Sequence, residues 1–248
     1  MTRIKYKAAP FAFIALILAL WQLLSVSGFI PGFMLPSPLK VVRAFCKDFG
    51  LLIYHLEITL LEAFTGIFVS IIFAFIFAVI MDRFTFIHRA VYPVLIVSQT
   101  IPTIAIAPLL ILWFGYGMSS KVILIVLTCF FPITVSLLTG FASVDKDIIR
   151  LLESIGATKN QIMKYAKLPS SIKSLFSGLR ISISYSIIGA VISEWLGGMR
   201  GLGVYMTRVK KSYAYDKLFA VIFLISALSL VLIKFISLLE KRICKYEK

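Results

Sequence analysis

Six long apolar runs separated by short polar or basic segments set the rhythm of this chain. The first covers residues 8–26, after Arg3, Lys5 and Lys7, and matches the ~20 residues a helix needs to cross a bilayer. It is longer than the apolar core of a cleaved signal, which favours a span. Residues 28–59 follow, with LPSP at 35–38 and then a short amphipathic helix over 39–49 that reads as interfacial. The second span is 60–81, closed by Asp82 and Arg83. Glu62 lies near its outer edge, where a snorkelling carboxylate is the expectation. The third span, 91–114, is broken by Pro93, Pro102 and Pro108. Prolines free backbone carbonyls that only protein or water can satisfy, so this span should be buried or line a path. A GYGMSS turn at 115–120 leads to a fourth span, 121–141, with Pro132 near its middle. The fifth and sixth are 177–195 and 218–239, joined by a loop too glycine-rich at 197–206 to be helical throughout.

Residues 144–180 interrupt this rhythm with a basic stretch rich in helix signals. Asp145 or Asp147 suits an N-cap, and Ile148, Leu151, Leu152 and Ile155 follow helical spacing. Gly156 supplies the left-handed residue that ends such a helix. Thr158 and Gln161 have the spacing of a capping box, so a second helix starts almost at once. Pro169 is expected to end it. Two short amphipathic helices at a sharp angle form a knob that a soluble partner can grip.

Composition then removes whole classes. At 248 residues and 60% hydrophobic, with mean hydropathy +0.99, the chain is far from a soluble domain. Its net charge of +15 sits between apolar runs, which suits loops beside anionic lipid rather than nucleic acid. Cys46, Cys129 and Cys244 have neither metal nor disulfide spacing. A phosphate-binding loop and an H-E-x-x-H motif are both missing, and His55 and His88 lie in different segments, so no catalytic or metal cluster is visible. Acidic pairs within the spans are also missing from the sequence pattern, which argues against proton-coupled transport.

The 144–180 stretch resembles the cytoplasmic motif of bacterial ABC-importer permeases, E-A-A, three residues, Gly, nine residues, Ile, one residue, Leu-Pro. Gly156, Leu168 and Pro169 match with the family's spacing; Arg150, Leu151 and Leu152 replace E-A-A, and Ala166 replaces the Ile. The runs 101–121 (IPTIAIAPLLILWFGYGMSSK), FFPI at 130–133 and 193–206 (SEWLGGMRGLGVYM) look like the nitrate, sulfonate and taurine branch. A related set handles thiamine-pyrimidine precursors. The resemblance implies an all-α integral membrane protein of the type I importer kind, with about six transmembrane helices. It implies one domain over 1–248, a core over about 55–240 and a cytoplasmic coupling segment at 144–176. ATPase coupling falls on Arg150, Glu153, Gly156, Ala157, Thr158, Gln161, Leu168 and Pro169. The implied partners are two ATPase subunits, a second permease copy in a homodimer, an extracellular solute-binding protein and the bilayer. ATP and magnesium belong to the ATPases, so this chain carries no cofactor and is not an enzyme. A secondary transporter or channel working without an ATPase is the competing reading.

Two further expectations come from the residues. Ser182, Ser186, Gly189 and Ser193 share one helical face. That face is either a close-packed interface of small residues or, with Gln99 and Thr103, the polar wall of a translocation path. Six spans also put both termini on one side, the cytoplasmic face of a bacterial plasma membrane. Sixteen of the 26 lysines and arginines then fall inside and nine outside, with Lys234 in the last span.

Overall fold

A computed structural model describes residues 2–244, with side chains described from residue 12. The side chains of Arg3, Lys5 and Lys7, and residues Lys245 and Lys248, on which part of the inner charge count rests, lie outside the described residues. The described residues form helices and connecting turns, without strands.

Helix α1 (Thr2–Val26) is followed by α2 (Pro38–Lys47), the interfacial helix, whose N-cap Ser37 accepts from the Lys40 amide. Helix α3 (Phe49–Arg83) runs 35 residues, starting well before the predicted 60–81. At 1.5 Å per residue it is about 50 Å long, more than the ~30 Å hydrocarbon layer. In its first half His55 and Thr59 are buried against the chain around Gly201.

The third predicted span is two helices, α4 (Thr85–Ser98) and α5 (Thr103–Phe114), bent by 102°. Pro102, which lacks an amide hydrogen, is the N-cap of α5 and sits at the break, whereas Pro93 and Pro108 stay inside helices. Gly115 (φ +77°) then turns the chain into α6 (Met118–Ala142).

Helices α7 (Lys146–Ser154) and α8 (Lys159–Ile162) make the knob, followed by a π-helical turn over Met163–Lys167 and α9 (Leu168–Gly197). Pro169 does not end a helix. It lies in the first turn of α9, where a missing amide hydrogen costs little, and the chain continues unbroken into the membrane. Helix α10 (Leu202–Lys211) begins where the glycine-rich loop stops, and α11 (Tyr215–Ile243) completes the fold.

By length and composition α3, α6, α9 with its preceding turns, and α11 can each cross a membrane, and the α4–α5 pair, bent by 102°, has the composition of a broken span or a re-entrant loop. The part of α1 with described side chains is a shorter apolar helix, Ala12–Val26, of 15 residues that include Gln22 and Ser25. Helix α6 is the axle, with Ile125, Cys129, Ile133, Leu137 and Phe141 buried between Ala63, Ala74 and Ala78 of α3 and Ile187 and Ala190 of α9. Small residues permit that approach. A Cβ at Gly178 of α9 would meet the Pro132 carbonyl at 2.9 Å, and one at Gly140 of α6 the Ser171 Cα at 2.7 Å. Phe64, Phe68, Phe73 and Phe75 of α3 stay exposed, as a lipid-facing surface requires.

Candidate functional site

The knob is built as its local signals dictate. Asp145 accepts from the Asp147 amide at 2.8 Å and starts α7. At its end Gly156 adopts φ +83°, with Gly156 N donating to Glu153 O at 3.0 Å and Ala157 N to Leu152 O at 2.9 Å. That pair of bonds is a Schellman closure, satisfying two carbonyls the helix leaves open. Thr158 N donates to Gln161 Oε1 at 2.7 Å while Gln161 N donates to Thr158 Oγ1 at 3.4 Å, completing the capping box.

The fold leaves an apolar crest on this knob without cover: Ile148, Leu151, Ile155 and Tyr165 are 50–72% exposed. Leu152, Gly156, Ala157 and Gln161 line a groove of about 250 Å³ with Ile155 and Tyr165. Arg150 pairs with Asp147 at 3.2 Å on the exposed side, and Glu153 lines a second cavity with Asp82, Lys159 and Asn160. Leu168 is half-buried and Pro169 exposed.

Sequence reasoning missed how the knob is tied to the spans. Lys167 Nζ donates to both oxygens of Asp82 at 2.7 Å, and Arg83 Nη1 to Asn160 Oδ1 at 2.5 Å. Both ties grip the last two residues of α3, so the knob is coupled directly to a helix long and apolar enough to cross a membrane.

On the side of the bundle, the α4–α5 break opens a cavity of about 270 Å³. Gln99, Pro102 and Thr103 meet Thr128 of α6 and Tyr185, Ile188 and Gly189 of α9 there. Gln99, Thr103 and Gly189 are thus brought together. Ser182, Ser186 and Ser193 are not. They are fully buried, and Ser186 and Ser193 donate within α9, to Ile183 O at 2.9 Å and Ala190 O at 2.7 Å. Ser182 donates to Cys129 O at 3.2 Å, and Cys129 Sγ returns a bond of 3.2 Å to Ser182 O. The face splits because Ser182 bonds α6 and Ser186 and Ser193 bond their own helix, while Gly189 and Tyr185 border the break. No charged side chain lines the cavity.

At the opposite end from the knob, two expectations require correction. Glu62 does not snorkel. It is 1% exposed and accepts from Lys121 Nζ at 2.5 Å, leaving its Oε2 without a partner. An acidic pair also exists, because Glu194, likewise 1% exposed, stands beside Glu62. Sequence reading passed over Glu194 because its partners are remote. Thr59 Oγ1 donates to its Oε1 at 2.7 Å, Gly203 N to its Oε2 at 2.6 Å, and Leu202 N to Thr59 Oγ1 at 2.9 Å. Gly201 N donates to His55 Nδ1 at 3.0 Å. Gly201 sits at φ +136°, where a Cβ would overlap the Glu194 carboxylate, so the turn into α10 closes around that group. Both carboxylates are bound into the frame, Glu62 by Lys121 and Glu194 by Thr59 and Gly203, as a structural lock between α3, α6 and α9. Among the described residues no group of His, Cys, Asp and Glu suits a metal ion.

Apolar helices long enough to cross a membrane, an uncharged cavity at the α4–α5 break and an uncovered amphipathic knob are the features of a membrane transport subunit. Residues 66–245 match the family model described as binding-protein-dependent transport system inner membrane component. The chain is 36% identical over 240 residues to the formylaminopyrimidine transport permease ThiX of Halalkalibacterium halodurans, covering 96% of each. It is 32% identical to the riboflavin transport permease RibX of Chloroflexus aurantiacus, covering 94% of this chain and 87% of that one. It is 27% identical to the taurine transport permease TauC of Escherichia coli, over 93% of this chain and 86% of that one. A crystal structure of an amino acid ABC transporter with histidines shares the fold, with TM-score 0.65 and 20% identity over 81% of this chain and 97% of that chain. The chain therefore belongs to the family of binding-protein-dependent transport system inner membrane components. It is a multi-pass permease subunit of an ABC importer and non-catalytic, with an ATPase and a solute-binding protein as the partners its family implies.

Proposed function

We propose that two copies of this chain form the membrane path of an importer for a small heteroaromatic solute of the aminopyrimidine kind. Two ATPase subunits, which carry the ATP and magnesium, grip the α7–α8 knobs from the cytoplasm, and both termini lie on that side. Arg150, Glu153, Gly156, Ala157, Thr158, Gln161, Leu168 and Pro169 shape or border the gripped surface. The observation that carries the coupling is the uncovered apolar crest of Ile148, Leu151, Ile155 and Tyr165 on a knob tied to α3 through Lys167–Asp82. Closure of the ATPases would pull on α3 and the π-turn together and so switch the side to which the path opens.

The solute reading rests on the α4–α5 cavity. It offers the Gln99 amide, the Thr103 and Thr128 hydroxyls and the Tyr185 phenol, and no counter-charge for nitrate or a sulfonate. A neutral heterocycle with an amide-like edge matches those partners. The 36% identity to a formylaminopyrimidine permease favours the same class. The test is uptake by cells carrying the whole importer, with competitors. Uptake of a formylaminopyrimidine that is untouched by excess taurine or nitrate supports the reading. Uptake of taurine or nitrate in its place assigns the importer to the anion branch.

A further inference from the structure

Helix α1 leans on α11 through Trp21. Its ring lies 5.7 Å from Phe223 and 5.8 Å from Phe219, and its indole nitrogen donates to the Pro36 carbonyl at 3.0 Å. Two apolar grooves flank that ring. One, of about 460 Å³, is walled by Leu18 and Trp21 of α1, Val42 and Phe45 of α2, and Phe223 and Leu224 of α11. The other, of about 440 Å³, runs between Leu20 and Leu24 of α1 and Phe219 of α11. Apart from the Trp21 nitrogen, which is already bonded, no lining side chain carries a polar atom. The α2 wall is fixed in place. Val41 and Ala44 are buried, and Asp48, which closes α2, takes a bond of 2.7 Å from Lys217 near the start of α11.

We propose that these grooves hold the acyl chains of an anionic phospholipid whose head group rests on the cations of α2. Round α2 from the groove wall of Pro38, Val42 and Phe45, helical spacing places Leu39 next and then Arg43, Lys47 and Lys40. The three cations are exposed, and none has an acidic partner among the described residues. Leu39 and Val42 are 55% and 58% exposed, so α2 offers apolar surface and positive charge side by side. That is the pattern with which an interfacial helix meets anionic lipid. Trp21 is the residue type that settles where hydrocarbon meets head groups, which sets the depth of the chains. Each groove has room for only about one turn of a helix ~10 Å across, too little for a helix of a second copy. A hydrocarbon chain is narrower and asks no hydrogen bond of the walls. The chains complete the packing between α1 and α11 that Trp21 alone begins.

The test uses the full-length chain in nanodiscs of phosphatidylcholine, with Trp113→Phe/Trp195→Phe so that Trp21 is the remaining tryptophan. Phosphatidylglycerol or phosphatidylcholine brominated on its acyl chains is added as quencher in a graded series. Brominated phosphatidylglycerol should quench Trp21 at about fivefold lower fraction than the brominated neutral lipid. Lys40→Gln/Arg43→Gln/Lys47→Gln should abolish that preference, and Lys40→Arg/Lys47→Arg, which keeps the charges, should retain it. Ala227→Phe, which fills the larger groove from α11, should weaken quenching by either lipid. Equal quenching by the two lipids would mean ordinary solvation of an apolar face and overturns the proposal. So does a preference that survives the triple neutralisation, because the head group then lies elsewhere. Trp21 left unquenched by both lipids would show that protein covers the grooves, and it overturns the proposal as well.

Discussion

Lys121 Nζ lies 2.5 Å from Glu62 Oε1 with both side chains almost wholly withdrawn from solvent, at 8% and 2% exposed. The pair joins the start of α6 to α3 beside the Glu194 carboxylate, so each partner is what makes the other tolerable there. Removing one leaves a buried charge uncompensated, which costs about 3–5 kcal/mol, whereas removing both costs far less. Lys121→Met should therefore lower the thermal midpoint of the purified protein sharply, and Lys121→Met/Glu62→Gln should recover most of the loss. A double variant as unstable as the sum of the two singles would show that the pair does not hold α3 and α6 together.

Gly156 occupies φ +83° with nothing within 4 Å of an added Cβ. Any penalty of substitution there is backbone strain alone, about 1 kcal/mol or more for a β-branched residue. Gly156→Val should distort the crest and reduce co-purified ATPase while insertion into the membrane is unchanged. Gly156→Asn, which tolerates the left-handed region better, should lose less. Equal ATPase recovery from all three proteins would remove the knob from the coupling role.

The contrast between Gly156 and Glu194 shows which parts of the molecule its sequence announces. Asp145, Gly156, Thr158 and Gln161 act on backbone groups within a few residues, so spacing alone places them. Glu194 bonds Thr59, 135 residues away, and the glycine turn that wraps it has meaning only after α3 and α9 are side by side. Pro169 misleads for a related reason. A proline ends a helix when it falls in the interior, but here it falls in the first turn of α9 after a π-turn, a register that composition does not reveal. The serine face was visible as a face. Which part of it meets α6 and which meets the cavity depends on the 102° bend between α4 and α5.

Asp48 gives a pH-dependent prediction. Burial pushes its carboxyl up, but hydrogen bonds from Lys217 and Tyr205, with the Lys217 charge, outweigh burial and hold it below the ordinary 3.8. Burial, and then the bond to Asp48, raises the Tyr205 phenol, which therefore stays a neutral donor. For a carboxylate depressed on folding, the stabilisation is complete above the unfolded value and is lost as pH falls through the folded one. The clamp between α2, α10 and α11 should thus hold above about pH 4 and loosen below it. Asp48→Asn should lower the thermal midpoint near neutrality and flatten its acid-side fall. An acid slope identical to wild type would place the titration elsewhere.

Gly189 separates packing from path. A Cβ there would meet Ile125 Cγ1 at 3.4 Å and Thr128 Oγ1 at 3.5 Å, ordinary contacts, so Gly189→Ala fits without moving α6. A leucine cannot continue toward α6, whose Ile125 is fully buried, and its extra carbons have room only in the cavity with Gln99 and Thr103. Gly189→Leu should therefore stop uptake while the complex still assembles with its ATPase and hydrolyses ATP, and Gly189→Ala should transport nearly as wild type. Gly178→Ala is the matched control. Its Cβ would meet Ser136 at 2.8 Å and the Pro132 carbonyl at 2.9 Å, so it should lower stability and assembly instead. Measuring uptake, co-purification and thermal midpoint on the same preparations resolves the two effects. A Gly189→Leu complex that assembles and transports normally would mean that the solute passes elsewhere than the break between α4 and α5.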